Sequence, residues 1–190
     1  AATASSPGEA VTALGPAPVS VEVKLDGARI QVHRHGGPGS RVEVFSRTLA
    51  DITARVPELV EVVSGFPGGS LILDGETLTL DENGAPRPFQ ETLSRFGSTG
   101  ARAEILRPWF FDILHADGVD LIDEPLSVRA ERLREAVGEH GILALETADP
   151  VAAETFSQEA LAAGHEGVLV KALDSPYAAG RRGRQWLKVK

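Results

Sequence analysis

Lys24 has the neighbours expected of a nucleophilic amine. It lies in Glu22-Val-Lys-Leu-Asp-Gly-Ala-Arg29, where Val19, Val21, Val23 and Leu25 alternate with Glu22, Lys24 and Asp26, so a strand here carries its charges on one face. Asp26-Gly27 is a turn signal, because glycine tolerates positive φ, and Ala28, Ile30 and Val32 then resume the alternation with Arg29 on the opposite side. The stretch is expected to form a hairpin that turns Glu22, Lys24 and Arg29 into one cleft. An ordinary hairpin with a solvated polar face is the plain alternative.

Other charges in the chain favour the cleft. Lys24, Glu76, Asp112 and Glu166 each interrupt an apolar strand-like run, where an unpaired charge costs several kcal/mol in desolvation. Asp112 is expected to be held in a buried salt bridge, and the others to share a ligand site. Lys188 and Lys190 alternate in the closing strand, which sets them on one face roughly 6.8 Å apart. Two ammonium groups that converge on a third repel unless a polyanion lies between them, and nucleotide phosphates suit that place. Glu76 and Glu166 then supply oxygen ligands for Mg²⁺ (or Mn²⁺), which binds through one or two carboxylates plus substrate phosphates. No Gly-x-x-x-x-Gly-Lys-Ser/Thr loop is present, so the phosphates are not cradled in that manner.

Phosphate binding alone does not call for Lys24 beside an Asp-Gly turn. An ordinary lysine is protonated at neutral pH, so a nucleophilic one needs a bias against its charge; a like charge at about 4 Å supplies roughly 4 kcal/mol at an effective dielectric of about 20. Lys188, Lys190 or a bound metal is expected to provide it. The chemistry this implies is in-line attack of Lys24 on a nucleotide α-phosphate, with release of pyrophosphate and formation of a phosphoramidate.

The elements that must position these residues follow from caps and periodicity. Ser6-Pro7-Gly8-Glu9 has the form of a capping box with proline in the first turn, which predicts a helix over 7–14 that stops at Gly15. Strands are expected at 41–45, 71–80, 109–114, 166–171 and 186–190. Helices are expected from Pro57 to about Val63, over Phe89 to Phe96, from a Ser127 cap to Val137 with Ala130, Leu133 and Val137 facing inward, and over 157–163. Strands and helices do not alternate regularly, so the fold class is α+β, with mostly antiparallel sheets flanked by helices.

Composition bounds the classes further. A chain of 190 residues, 42% hydrophobic and 24% charged, is long enough for a substantial core. The absence of cysteine excludes disulfides and thiolate metal sites. No apolar run approaches the ~20 residues that span a bilayer, and Ala1 to Pro7 does not have the form of a secretory signal. A net charge of −8 argues against a free-standing polyanion binder, although Arg181, Arg182, Arg184, Lys188 and Lys190 leave one basic edge at the end of the chain. There is no methionine, so the chain is expected to be processed or to be a piece of a longer polypeptide. His33, His35, His115, His140 and His165 show no convincing metal-ligand spacing, and surface roles are expected for the His33 and His35 pair.

Taken in order, these segments resemble the nucleotidyltransferase motifs of the ATP-dependent DNA ligases. Lys24-Leu-Asp-Gly-Ala-Arg29 resembles the Lys-x-Asp-Gly-x-Arg signature, and Phe45-Ser-Arg47 the short motif that follows. Leu73-Asp-Gly-Glu76, Phe110-Phe-Asp112, Glu166-Gly-Val-Leu-Val-Lys171 and Trp186-Leu-Lys-Val-Lys190 match the remainder. The tract from Phe45 through Val63, together with His165-Glu-Gly, is most similar to the bacterial, actinobacterial-like branch. The first motif alone is expected by chance about once per hundred thousand positions.

The resemblance implies a role for each position. Lys24 is the adenylated nucleophile, Glu22 reads the adenine amino group, Phe111 stacks on the base, and Leu169 or Val170 closes the other side. Arg29 contacts the ribose or the nick phosphate, and Glu76 holds the ribose hydroxyl or assists with metal. Glu166 takes the metal, Lys188 and Lys190 hold the α-phosphate, and Arg47 and Arg182 meet DNA phosphate. ATP, Mg²⁺ (or Mn²⁺) and nicked double-stranded DNA are the implied cofactors and partners, for a monomer of the bacterial cytoplasm associated with the nucleoid and with no membrane. Residues 1–18 are expected to be a lead-in and 19–190 the adenylation domain. An oligonucleotide-binding-fold (OB-fold) domain with a sixth motif and an N-terminal DNA-binding domain are expected elsewhere, so this piece is expected to bind ATP, form lysyl-AMP slowly and seal nicks poorly. An RNA ligase, a capping-type guanylyltransferase and a noncatalytic nucleotide-binding module are the competing readings.

Overall fold

The computed structural model describes residues 2–96, 105–177 and 186–189. It divides into two compact units, the first drawn from Ala1–Leu25, Asp123–Ser127 and Ile142–Lys190 and the second from Asp26–Ile122 and Val128–Gly141.

In the first unit, β1 (Ala2–Ala4), β2 (Val19–Lys24), β8 (Ala144–Thr147), β9 (Gly167–Ala172) and β10 (Trp186–Val189) form a sheet in the order β1-β10-β9-β2-β8. Only the β1 and β10 pair is parallel among these neighbours. Helix α1 (Pro7–Leu14) begins as its sequence dictates, with the Ser6 side chain accepting from the Glu9 N–H at 3.1 Å and Pro7 in the first turn. It packs against α5 (Pro150–Ala162), and the Gly8 N–H donates to Glu154 Oε1 at 3.0 Å. Val21, Val168 and Val170 on the sheet and Ala10 and Ala153 on the helices are fully buried.

In the second unit, β3 (Ala28–Arg34), β4 (Val42–Ser46), β5 (Leu71–Thr79), β6 (Leu106–Ala116) and β7 (Val119–Asp120) form an antiparallel sheet in the order β4-β3-β5-β6-β7. Its core joins Ile30, Val44, Leu73 and Phe110 to Leu59 and Val63 of α2 (Pro57–Ser64) and to Leu133 and Val137 of α4 (Leu126–Val137). Helix α3 (Phe89–Phe96) is pinned to β5 by the Thr79 N–H, which donates to Thr92 Oγ1 at 3.1 Å. The α+β class with mostly antiparallel sheets is the one expected.

Three local expectations need correction. Residues 19–33 are not a hairpin: β2 pairs with β8 and β9, whereas β3 pairs with β4 and β5. The polar face of β2 is not solvated, since Ser20 and Glu22 are buried, and the strand has a sheet neighbour on each side. Gly27 is needed for close approach, because a Cβ there would lie 2.5 Å from the Thr77 carbonyl oxygen. Ser127 does not cap α4, which starts at Leu126; the Leu126 and Ser127 N–H groups donate to the Ser175 and Leu173 carbonyls at 2.9 Å each. Helix α5 starts at Pro150, well before the expected Ser157, because Asp149 caps it by accepting from the Val151 N–H at 2.9 Å.

Arg34, only 2% exposed, organises the turn between α2 and β5. Its Nη1 donates to the carbonyls of Val63 (3.0 Å) and Phe66 (2.6 Å), and its Nη2 to those of Pro67 (3.2 Å), Gly68 (3.2 Å) and Gly69 (2.7 Å). Burial pushes this guanidinium below its ordinary value. Asp117 accepts from the Gly69 N–H and from Arg132 Nη2 (3.1 Å), and these bonds, the backbone one foremost, hold its carboxyl below the usual carboxylate range. Replacement Arg34→Met should lower the unfolding free energy by about 2–4 kcal/mol, measured in urea, because several buried carbonyls lose their donor. A depressed carboxyl stabilises fully above its unfolded value and loses that contribution as pH falls through the folded one. Asp117→Asn should therefore flatten the fall in urea midpoint below about pH 5 relative to the parent.

Candidate active site

One face of the first sheet carries four of the nine expected nucleotide-binding residues, Glu22, Lys24, Leu169 and Lys188. In register, Ala144, Glu22, Leu169 and Lys188 form a single row across β8, β2, β9 and β10. Lys24 lies two residues beyond Glu22 on that face, opposite Gly167. Its Nζ hydrogen-bonds to the Glu166 carboxylate, while the Glu166 N–H donates to the Lys24 carbonyl at 3.1 Å. The lysine side chain is 20% exposed and that of Glu166 40%. Sequence reasoning expected crowded cations around Lys24; the neighbour it hydrogen-bonds is a carboxylate instead. Val170 lies on the opposite face, fully buried between Val21 and Leu187, so of the two candidates for closing on a base only Leu169 faces the site. Lys190 and Arg182 lie outside the described residues.

Glu22 is 4% exposed, and its Oε1 accepts from Lys171 Nζ at 2.7 Å. Sequence reasoning gave Lys171 no role. The signal was present in two opposite charges, each inside an apolar strand, but only the β2 and β9 register shows that they meet.

The second sheet carries its own row, with Arg29, Glu76 and Trp109 opposite one another across β3, β5 and β6. Arg29 donates to Asp74 as a fork, Nε to Oδ1 at 3.0 Å and Nη2 to Oδ2 at 2.6 Å, with its guanidinium 4.9 Å from the centre of the Phe111 ring. The register shifts between Asp74 and Gly75, so Phe111 is the extra residue of a bulge between Phe110 and Asp112, a device that re-aims a side chain. Asp112 is in the buried salt bridge expected of it, accepting from Arg129 Nε (2.8 Å) and Nη2 (3.1 Å).

A hollow of about 500 Å³ in this unit is lined by Gly27, Arg29, Arg47, Arg55, Glu76 and Phe89, among others. Arg55, missed by sequence reasoning, ends a 3₁₀ turn over Thr53–Arg55. That turn is fastened to the Asp51 carboxylate by Thr53 N (3.0 Å) and Oγ1 (2.6 Å). His33 bonds Gln31, His35 bonds Glu43, and His115 bonds Ser70 and Asp120. Among the described residues, no group of three or more His, Asp or Glu could hold a metal by itself. No described helix is long and apolar enough to cross a membrane.

This pairing of a lysine-bearing sheet with a second antiparallel sheet is the covalent nucleotidyltransferase fold of the DNA ligases. The model of the ATP-dependent DNA ligase domain matches residues 1–190, and the chain belongs to that family. A probable DNA ligase of Pseudarthrobacter chlorophenolicus is 62% identical over 171 residues, covering 90% of this chain and 33% of the relative. One of Rhodococcus jostii is 57% identical over 190 residues, covering 100% and 37%. The chain thus spans about a third of the length of these curated relatives. Among solved structures, mycobacterial DNA ligase D complexed with ATP and MES is 30% identical with a TM-score of 0.70, over 91% of this chain and 54% of that one.

Gly75 of the Asp-Gly-Glu segment tests how tightly the second row is built. A Cβ there would lie 2.6 Å from the Trp109 carbonyl oxygen and 2.8 Å from Phe110 Cδ1. Gly75→Ala should therefore destabilise the protein by about 1–3 kcal/mol in chemical denaturation.

Proposed function

We propose that this chain is the adenylation domain of an ATP-dependent DNA ligase and that Lys24 carries the nucleotide. The observation that carries the reading is the first-sheet face, on which Lys24 lies among Glu22, Leu169 and Lys188 with the Glu166 carboxylate on its amine. In the reaction, Lys24 Nζ attacks the α-phosphorus of ATP. The nitrogen–phosphorus bond forms as the bond to the bridging oxygen breaks, pyrophosphate leaves with the electron pair, and the amine gives up a proton. Lys188 holds the α-phosphate and neutralises charge that grows there, and Lys190 is given the same part. Glu22 accepts from the adenine amino group, and Leu169 covers the base.

The donor set suits a hard divalent cation that relies on its substrate for most of its ligands, since the exposed Glu166 carboxylate supplies one oxygen and ATP phosphates the rest. Mg²⁺ or Mn²⁺, when bound, supplies charge neutralisation on the phosphates. Glu166 would be the residue to hold such a cation, and its carboxylate is also the hydrogen-bond partner of the Lys24 amine. In the second unit, Glu76 is proposed for the ribose hydroxyl or a metal and Arg29 for the ribose or the nick phosphate. Phe111 is proposed for the base, with one ring face already under the Arg29 guanidinium. Arg47 and Arg182 are proposed to meet DNA phosphate.

In the natural full-length polypeptide, with an OB-fold domain present, AMP then passes to the 5′-phosphate of a nick and the 3′-hydroxyl displaces it. The setting proposed is the bacterial cytoplasm and nucleoid, with the protein acting as a monomer. Exposure to ATP and Mg²⁺ should add the mass of one AMP, on a peptide that contains Lys24. Lys24→Ala should abolish the adduct, and an undiminished adduct on that variant overturns the assignment.

A further inference from the structure

Lys171 has no part in the chemistry above, yet it is held in a definite place. Its Nζ lies 2.7 Å from Glu22 Oε1, with the two side chains 13% and 6% exposed. In the β2 and β9 register Glu22 faces Leu169 and Lys171 faces Ser20, so the ammonium is the diagonal neighbour of the carboxylate on the site face. Two ions this buried recover no more than a pair of well-packed apolar side chains would, so packing alone does not account for them.

We infer that Lys171 is a positioning residue that keeps the Glu22 carboxylate ionised and aimed, and thereby sets the preference for a 6-amino purine over a 6-keto purine. The inference rests on the proposal that Glu22 reads the base. An ionised carboxylate only accepts hydrogen bonds, whereas a protonated carboxyl also donates one. The 6-amino group of adenine donates, so it satisfies an ionised Glu22. The 6-keto oxygen of hypoxanthine accepts, so it meets a second acceptor and is refused. Without the ammonium, the buried Glu22 takes up a proton, gains a donor and loses its reason to refuse the keto base. Ser20, on the same face, is too short and neutral to replace the charge.

The test measures lysyl-nucleotide formation with ATP and with inosine triphosphate, in the natural full-length polypeptide. Lys171→Met should lower the ATP-to-inosine-triphosphate ratio of kcat/KM by about tenfold or more. The change should fall on KM, chiefly as a lower KM for inosine triphosphate, with kcat for adduct formation nearly unchanged because Lys171 touches no reacting atom. Lys171→Arg should restore the ratio. Should the methionine variant fail to fold, Lys171→Gln, which keeps a donor and removes the charge, carries the same expectation. Glu22→Gln separates the two levels. A ratio that collapses in Glu22→Gln but is unmoved in the Lys171 variants overturns the positioning role and leaves base reading intact. A ratio unmoved in Glu22→Gln overturns base reading and this inference with it.

Discussion

A carboxylate inside a sheet needs a cation within hydrogen-bond reach to offset its desolvation, and this requirement shapes the interior of both units. Among the described residues, Glu22 with Lys171, Asp74 with Arg29, and Asp112 with Arg129 are instances, at 2.6 to 3.1 Å. In each the carboxylate is at most 8% exposed. Removing one partner would leave a charge whose desolvation costs several kcal/mol. Each pair also joins segments far apart in the chain, so the charges set strand register as well as charge balance. Arg34 obeys the same rule with carbonyl dipoles in place of a carboxylate, and through them shapes the turn that leads into β5.

These pairs divide the functional residues by how free they are. Glu22 and Arg29 are placed by partners on their own sheets, and they can read a ligand without searching for an orientation. Lys24 and Glu166 are partnered with each other at a more exposed position, where an incoming anion and cation can replace the contact. The residues proposed to bind are thus held by pairs with a buried carboxylate, while the proposed nucleophile is held by a pair that can open.

The sequence made elements legible wherever one residue decides a boundary. Ser6 and Pro7 start α1, Pro57 starts α2, and the alternation from Val19 sets β2, because each is a local effect of cap, ring or pleat. The Asp149-Pro150 start of α5 had the same local form and was overlooked. The partners of β2 were not legible, since Asp26-Gly27 permits either a hairpin or separate strands, and only the pairing of β2 with β8 and β9 decides. The motif charges announced a site, but not who pairs with whom. Lys171 and Asp74 become meaningful only through register, and Arg55 only through the turn that carries it beside Arg47.

Net charge is a sum and does not say where the charges lie. The chain carries −8 overall, yet the hollow in the second unit is lined by Arg29, Arg47, Arg55 and Glu76, with Arg29 already paired to Asp74. At physiological ionic strength exposed charges are largely screened beyond about 8 Å. Acidic groups elsewhere on the molecule therefore weigh little on an anion that has reached Arg47 and Arg55. An acidic total is felt at long range, where it slows the approach of a polyanion, whereas cations act at contact. A chain can thus be acidic in sum and still gather cations locally, on a frame as short and hydrogen-bonded as the one from Ser46 to Arg55.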